Sequence, residues 1–198
     1  MRFILASNNR KKLSELKAIL AEMDIQLVSQ SGAGLSLEPE ETGTSFEENA
    51  IIKAKAACNA LQEPAIADDS GLAVDALGGE PGIYSARYGG GNCQNDSDRT
   101  AFLLKNMEGK SDRSAVFICC IACAFPNGDI ITAMGVCKGT ILCEPRGDGG
   151  FGYDPVFEPE GMGETLAELT ADIKNAVSHR GAAIRNFKEK LRVYYADK

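Results

Sequence analysis

Two groups of acidic residues in this sequence have the chemistry of a divalent-cation site. Asp68 and Asp69 follow an apolar stretch at residues 64–67, and one upstream loop contains Glu38, Glu40 and Glu41. Mg²⁺ prefers oxygen ligands, commonly one or two carboxylates together with water and substrate phosphates. If residues 64–67 form a strand, the aspartates lie at its carboxyl end, where open α/β sheets collect their ligands. The alternative is a turn made by Asp-Asp-Ser-Gly through its own side-chain hydrogen bonds, beside a loop of solvated glutamates.

A basic polar segment near the N-terminus has the features of an anion site. The apolar run at residues 3–6 is followed by leucines at helical spacing, and between the two lie Ser7, Asn8, Asn9, Arg10, Lys11 and Lys12. The N-terminus of a helix exposes unpaired N–H groups and the positive end of the helix dipole, so it binds anions such as phosphate. Alternatively, Asn9 only caps the helix and the basic side chains are solvated.

A glycine-dense segment at residues 146–155 indicates a ligand-binding loop. Gly147, Gly149 and Gly152 formally match G-x-G-x-x-G, but no helix is predicted to begin there, so we reject a dinucleotide-binding fingerprint. Glycines around Phe151 and Tyr153 let backbone approach a flat ligand, with an aromatic ring available for stacking. The sequence has no G-x-x-x-x-G-K-[ST] motif, which excludes a P-loop enzyme.

A cationic cluster at the start of the last predicted helix contains Lys174, His179 and Arg180. His179 is the only histidine of the chain, and its type suits a general base, a ligand or a structural hydrogen-bonding group. Because no serine or cysteine is recognisably paired with it, the sequence gives no support for a nucleophilic triad.

Composition excludes several classes of protein. A net charge of −7 argues against sequence-independent binding of DNA or RNA, because such binding needs many contacts from Lys and Arg to phosphates. The longest apolar run, residues 115–125, is far shorter than the roughly 20 residues that span a bilayer, and the N-terminus lacks a secretory pattern. We therefore expect a cytoplasmic protein. Its 7 cysteines are read as reduced apolar residues, because Cys120 and Cys123 have no second pair to complete a zinc site.

The order of predicted elements indicates an α/β protein. Strands at residues 3–6, 25–28 and 64–67 alternate with helices that start near residues 9 and 46, the second with a capping box from Thr44 and Glu47 or from Ser45 and Glu48. A weak helix is predicted at residues 98–107. Asn127-Gly128 then predicts a hairpin between apolar stretches at residues 115–125 and 130–138. A strand at residues 139–142 and a helix at residues 179–194 complete a single domain over residues 1–198 with a mixed sheet and flanking helices.

Taken together, these segments resemble the inosine triphosphate pyrophosphatase family, and the matching motifs run in the family's order along nearly the whole chain. The most specific are residues 66–75, Ile-Ala-Asp-Asp-Ser-Gly-Leu-Ala-Val-Asp, and residues 149–155, Gly-Gly-Phe-Gly-Tyr-Asp-Pro. These two stretches lie within longer matches at residues 65–88 and 149–157. The other matches are residues 6–9 with Lys12, residues 40–46 with residues 48–50, and residues 178–181. The resemblance implies hydrolysis of deaminated purine nucleoside triphosphates, namely dITP, ITP and XTP, to monophosphate and pyrophosphate.

The resemblance also implies a role for each candidate residue. Residues 7–12 and Lys53 would hold the triphosphate. Glu40 and Asp69 would bind Mg²⁺, and Asp69 would also accept the proton of the attacking water, whereas Asp68 receives no assigned role. The remaining residues would contact the substrate or its base: Ser70, Phe151, Gly152, Tyr153, Asp154, Lys174, His179 and Arg180.

The fold implied by the resemblance is an elongated, two-lobed α/β domain with a central cleft, usually assembled as a homodimer. Base selectivity would come from hydrogen-bond donors that face a 6-oxo group, because those donors lose their partner when adenine presents an amino group. A pyrophosphatase of the Maf type and a nucleotide-binding module without turnover are the competing interpretations.

Overall fold

A computed structural model describes residues 1–7, 9–20, 23 and 25–196, with the backbone alone described at residue 10. The chain forms six strands and five α-helices in the described part. In chain order they are β1 (Arg2–Leu5), α1 (Arg10–Leu20), β2 (Gln26–Ser29), α2 (Phe46–Leu61), β3 (Ala65–Val74), α3 (Asp96–Asn106), β4 (Ser114–Ala124), β5 (Ile130–Ile141), β6 (Phe157–Pro159), α4 (Ala171–Val177) and α5 (His179–Ala196). Short 3-10 turns lie between β3 and α3 and before β6. None of these helices is both long and apolar enough to cross a membrane.

The six strands form one mixed sheet in the order β2-β1-β3-β4-β5-β6. Strand β1 pairs in parallel with β2 and with β3, while β5 and β6 are antiparallel. The turn between β4 and β5 is closed by the N–H of Phe125, which donates to the carbonyl of Asp129 at 3.0 Å, and by the N–H of Gly128, which donates to the carbonyl of Phe125 at 2.9 Å. The predicted α/β class, mixed sheet and hairpin are therefore confirmed.

The chain divides into two compact units. Unit 1 consists of residues 1–69, 119–135 and 180–198, and unit 2 of residues 70–118 and 136–179. In unit 1, Leu16 of α1 and Phe187 of α5 pack in one apolar cluster with strand residues that include Phe3 and Ile121. In unit 2, Leu103 of α3 packs in a second apolar cluster that includes Phe117 and Phe157. Each unit thus has an apolar core of its own, and that residues 1–198 act as one domain stays a prediction.

Strand β3 is longer than the sequence indicates. It was predicted to end before Asp68, yet it continues through Asp68, Asp69 and Ser70 to Val74. Aspartate and glycine are disfavoured in strands, so local propensity signals an end at this point. The strand continues because the buried carboxylates meet cationic side chains, a long-range pairing that no local pattern reveals. The end of the strand predicted at residue 67 and the alternative interpretation of Asp-Asp-Ser-Gly as a turn are therefore both wrong.

Other boundaries differ by smaller amounts. The separate strand predicted at residues 139–142 is the end of β5. Strand β6 and helix α4 were not predicted, since both are too short to show a period. Of the two predicted caps for α2, the structure has the second, because Ser45 Oγ accepts from the N–H of Glu48 at 3.2 Å. The helix predicted from residue 179 is confirmed as α5.

Candidate active site

Asp68 is the centre of a buried ion-pair network in unit 1. Its Oδ2 lies 2.9 Å from Lys12 Nζ of α1 and 3.3 Å from the Nε and Nη2 atoms of Arg180, the second residue of α5. Arg180 is itself only 3% exposed, and its Nη1 donates to Glu15 Oε2 at 2.8 Å. Burial alone would raise the pKa of Asp68, but the neighbouring cations, led by Lys12 and Arg180, outweigh it and hold the pKa well below the ordinary value. Asp68 is therefore a permanent anion that ties β3 to α1 and α5.

Asp69 has a different set of partners. Its Oδ1 accepts from Lys53 Nζ at 2.7 Å, and the same ammonium group donates to Glu41 Oε1 at 2.8 Å. Burial raises the pKa of Asp69, and Lys53 opposes this shift without cancelling it. The pKa of Lys53 is also raised, because the attraction of Asp69 and Asp68 exceeds the opposing effect of burial. Lys53 therefore stays charged beside a carboxylate that is more basic than usual.

The acidic loop reaches this centre through Glu41. Glu40, which the family resemblance selects as a metal ligand, has an exposed side chain, whereas Glu41 is partly buried against Lys53. The chain turns at this point, because the N–H of Thr42 donates to the carbonyl of Glu40 at 3.1 Å, and Glu41, in the middle of the turn, faces Lys53. The geometry thus favours Glu41 over Glu40 as the glutamate that acts with Asp69.

The carboxylates of Asp69 and Glu41 fit a magnesium ion by one direct observation. The Oδ2 atom of Asp69 is buried, and among the described residues it has no hydrogen-bond partner. A buried carboxylate oxygen without a donor carries a desolvation cost that a cation removes. A cavity of about 240 Å³ is lined in part by Glu41 and Lys53. Within the described ranges, no group of three His, Cys, Asp or Glu side chains could hold a metal ion by itself. Mg²⁺ commonly takes only one or two carboxylates together with water and substrate phosphates.

The start of α1 has the capping interaction of the alternative interpretation, and phosphate binding there stays a prediction. Asn9 caps the helix, since its Oδ1 accepts from the N–H groups of Lys11 and Lys12 at 2.9 and 3.2 Å, and Ser7 Oγ accepts from the N–H of Asn9 at 3.1 Å. Lys12 is not merely solvated, because it is paired with Asp68. Lys11 is exposed. Asn8 and the side chain of Arg10 lie outside the described residues.

The glycine-dense segment at residues 146–155, here called the aromatic-glycine loop, lies in unit 2 and is organised around Asp154. Its Oδ2 accepts from the N–H of Phe151 at 2.8 Å and lies 2.9 Å from Lys174 Nζ of α4. The same ammonium group lies 4.9 Å from the centre of the Phe151 ring, a cation–π distance. Asp154 and Lys174 are buried, whereas Phe151 is partly exposed. The loop thus presents one aromatic ring next to a buried ion pair between Asp154 and Lys174.

Two further predicted residues have structural partners in unit 2. Tyr153 is buried and its hydroxyl donates to the carbonyl of Ser85 at 2.8 Å, which anchors the loop. His179 is 4% exposed and stacks on Phe117, with ring centres 4.5 Å apart and planes at 8°. Ser70, in β3, is partly buried.

Sequence reasoning missed several residues that position this chemistry. Glu15 follows Lys12 by one helical turn, so the helical period of α1 could have placed both on one face. Asp96 and Thr100 bond the backbone of Gly152, at 2.8 and 3.3 Å. No sequence signal connects them to a loop more than 50 residues away.

These features define an α/β protein with a carboxylate–lysine centre suited to a metal ion and phosphate groups. The chain belongs to the Ham1 family, whose model matches residues 3–190, and the predicted family resemblance is thereby confirmed. It is 47% identical over 192 residues to the dITP/XTP pyrophosphatase of Geobacter sulfurreducens, which covers 96% of each chain. With that of Gloeobacter violaceus it shares 49% identity over 186 residues, 93% of this chain and 92% of the relative.

Solved structures agree with this membership. The Ham1 protein of Staphylococcus aureus superposes with a TM-score of 0.88 at 40% identity, covering 98% of this chain and 100% of that one. A nucleoside-triphosphatase, dITP/XTP pyrophosphatase, from Mycobacterium abscessus gives a TM-score of 0.76 at 44% identity, covering 93% of this chain and 97% of that one. The fold is therefore that of the Ham1 proteins.

Proposed function

We propose that this protein is a magnesium-dependent nucleoside-triphosphate pyrophosphatase that hydrolyses dITP, ITP and XTP to the monophosphate and pyrophosphate. The names of its relatives support the substrate class. The observation that carries the chemistry is the Asp69–Lys53–Glu41 group, in which Lys53 bridges two carboxylates and a buried oxygen of Asp69 is left for a cation. The aberrant triphosphate would be removed from the nucleotide pool by conversion to a monophosphate, which is not a substrate for polymerisation.

In this proposal, Asp69 and Glu41 hold Mg²⁺, which neutralises phosphate charge when it is bound. Asp69 also takes the proton of the attacking water, as the family resemblance implies, and Lys53 Nζ at 2.7 Å from its Oδ1 orients the carboxylate. Lys53 stays protonated and stabilises negative charge on the phosphates as the anhydride bond breaks. The oxygen of the attacking water forms a bond to the α-phosphorus and ends on the monophosphate. The bond between the α-phosphorus and the bridging oxygen breaks, and pyrophosphate leaves with its electron pair.

The remaining residues bind and orient the substrate. Residues 7–12 hold the triphosphate, with Lys12 contributing positive charge and Asn9 fixing the start of α1. Phe151 stacks on the purine, and Lys174 with His179 contributes to reading the base edge. Arg180 acts mainly through Asp68 and Glu15, with which its guanidinium is paired.

We also propose that the protein is cytoplasmic, as its short apolar runs indicate, and that it is a homodimer, as its family resemblance implies. Size-exclusion chromatography with light scattering measures the mass in solution directly. A mass of twice 21.1 kDa is expected, and a monomeric mass would contradict the assembly without bearing on the activity.

The test is an assay of purified protein with Mg²⁺ over a nucleotide panel, with the products separated by chromatography. We expect dIMP and pyrophosphate from dITP, and little turnover of ATP. Asp69→Asn removes the proton acceptor and a metal ligand, so activity should fall by at least about 100-fold with the fold preserved by circular dichroism. Asp112→Asn, at an exposed aspartate before β4 and outside the family motifs, is the matched control and should retain full activity.

Three results would contradict the proposal in different ways. Release of orthophosphate with dIDP would assign cleavage to the other anhydride bond. Faster turnover of dTTP or UTP than of dITP would favour a Maf-type pyrophosphatase. Tight binding of dITP without turnover would indicate a nucleotide-binding module.

A further inference from the structure

The backbone around Phe151 is held by a carboxylate on each side. The N–H of Phe151 donates to Asp154 Oδ2 at 2.8 Å, and the next amide, the N–H of Gly152, donates to Asp96 Oδ2 at 2.8 Å. These two amides flank the Cα atom of Phe151, and each lies in a planar peptide unit. Together the two bonds restrain both backbone torsions that aim the aromatic ring.

Asp96 belongs to a different element, as the first residue of α3. Its Oδ1 accepts from Arg99 Nη2 at 2.6 Å, which orients the carboxylate toward the loop. One turn further along α3, the hydroxyl of Thr100 donates to the carbonyl of Gly152 at 3.3 Å. The first turns of α3 therefore hold Gly152 by both its N–H and its carbonyl group.

Gly152 is a point at which such restraint is needed. Its φ angle is +62°, in the left-handed region that glycine adopts freely, and its α-carbon faces open space. A glycine with this freedom has several accessible conformations when its peptide groups are unbonded. The bonds from α3 select one of them.

We propose that Asp96 is a positioning residue for recognition of the purine: it fixes the peptide between Phe151 and Gly152 and so presents the Phe151 ring in one orientation. This inference rests on the proposed function in assuming that Phe151 stacks on the base. A pre-ordered ring spares the loop an ordering cost when the ligand binds, so Asp96 acts on KM more than on kcat. Because the Asp96 side chain is 49% exposed, water weakens the bond and the effect is moderate.

The steady-state test compares Asp96→Ala with a matched control, Asp98→Ala. Asp98 lies in the same first turn of α3 and accepts from the N–H of Gln94, so its removal also costs the helix start a carboxylate but leaves Gly152 untouched. We expect Asp96→Ala to raise KM for dITP by about 5-fold with kcat nearly unchanged, and Asp96→Asn, which keeps an acceptor oxygen, to raise it less. The control should match the wild type.

A double-mutant cycle shows whether Asp96 acts through the ring. In a Phe151→Ala background, the Asp96→Ala substitution should change KM no further. An equal rise in KM with and without the ring would overturn the inference, as would identical KM values for Asp96→Ala and Asp98→Ala.

Amide hydrogen exchange at Gly152 tests the restraint without any substrate. We expect slow exchange in the wild type and in Asp98→Ala, and faster exchange in Asp96→Ala. Unchanged exchange in Asp96→Ala would overturn the inference. A wild-type protein that fails to hydrolyse dITP would contradict the proposed function alone, because the exchange result stands independently.

Discussion

Adjacent residues of β3 take opposite roles because a strand directs successive side chains to opposite faces. Asp68 meets Lys12 and Arg180, and its pKa is held low, so it serves as a fixed anion. Asp69 meets Lys53, and its pKa is raised by burial, so it retains basicity. From residue types alone the two carboxylates are interchangeable, and their surroundings separate an anchoring group from a reactive one.

The same reasoning separates Glu41 from Glu40 and yields a prediction. Glu41→Gln removes a charge from the Lys53–Asp69 group, so we expect kcat/KM to fall by about 10- to 100-fold and the Mg²⁺ concentration for half-maximal activity to rise. Titration of activity with Mg²⁺ measures both.

Glu40→Gln is the matched control, since it makes the same chemical change at the neighbouring, exposed position. It should leave both quantities nearly as in the wild type. If instead Glu40→Gln gives the larger loss of activity, Glu40, the metal ligand implied by the family resemblance, is the right one, and the assignment of Glu41 fails.

At the scale of elements, the start of α2 positions two parts of the site together. Ser45 caps the helix, and the N–H of Gly43 donates to the Oδ1 of buried Asn49 at 2.8 Å. Glu48 Oε2 accepts from the N–H and the hydroxyl of Thr44, at 2.6 and 2.9 Å. The acidic loop is thereby tied to the helix that carries Lys53, so one cap sets the position of Lys53 relative to the loop.

Loss of this cap should destabilise unit 1. Ser45→Ala leaves an N–H of the first turn without its acceptor, and we expect the free energy of unfolding to fall by about 1 kcal/mol in urea titrations. Ser97→Ala, at an exposed serine within α3, should change it by less than about 0.5 kcal/mol. Equal effects of the two substitutions would show that the cap contributes nothing.

At the scale of the whole molecule, most of the cysteines are buried and uncharged. All 7 are free thiols, and Cys58, Cys119, Cys120, Cys123 and Cys137 are buried. Burial raises the pKa of Cys120 and of Cys137 from 9.0 to about 11. Ionised thiols are thus disfavoured by the folded state, which agrees with the prediction of reduced apolar cysteines.

The raised pKa values predict a loss of stability in alkali. A thiol whose pKa is higher in the folded state contributes stability that is complete below its unfolded value of 9.0 and is lost as pH rises through about 11. In urea titrations from pH 8 to 11, the free energy of unfolding should fall as the pH rises. Its slope against pH should be shallower in the double variant Cys120→Ala, Cys137→Ala than in the wild type.

The comparison depends on the slope, because removing buried thiols also lowers stability at every pH. Cys143→Ala is the control, since that thiol is exposed, and its slope should equal that of the wild type. A double variant with the wild-type slope would show that these thiols do not control alkaline unfolding.

Local signals in the sequence were sufficient for much of the fold. The spacing of leucines predicted α1, the Ser45 and Glu48 pair predicted the start of α2, and Asn127-Gly128 predicted the hairpin. Each depends on residues a few positions apart, so backbone geometry alone links pattern to structure. The extent of β3 was missed because its charged residues are stabilised by partners from distant helices.

The sequence by itself determined the kinds of groups available: paired carboxylates, a basic helix start, and an aromatic ring among glycines. Tertiary structure decided which of them meet. Arg180 and Asp68 are 112 residues apart in the chain, and Gly152 and Asp96 are 56 apart. Such contacts depend on how helices and strands pack, and the periodicity of residues along the chain does not predict this packing. For that reason Asp69 differs from Asp68, Glu41 from Glu40, and the direction of the Phe151 ring is set from α3.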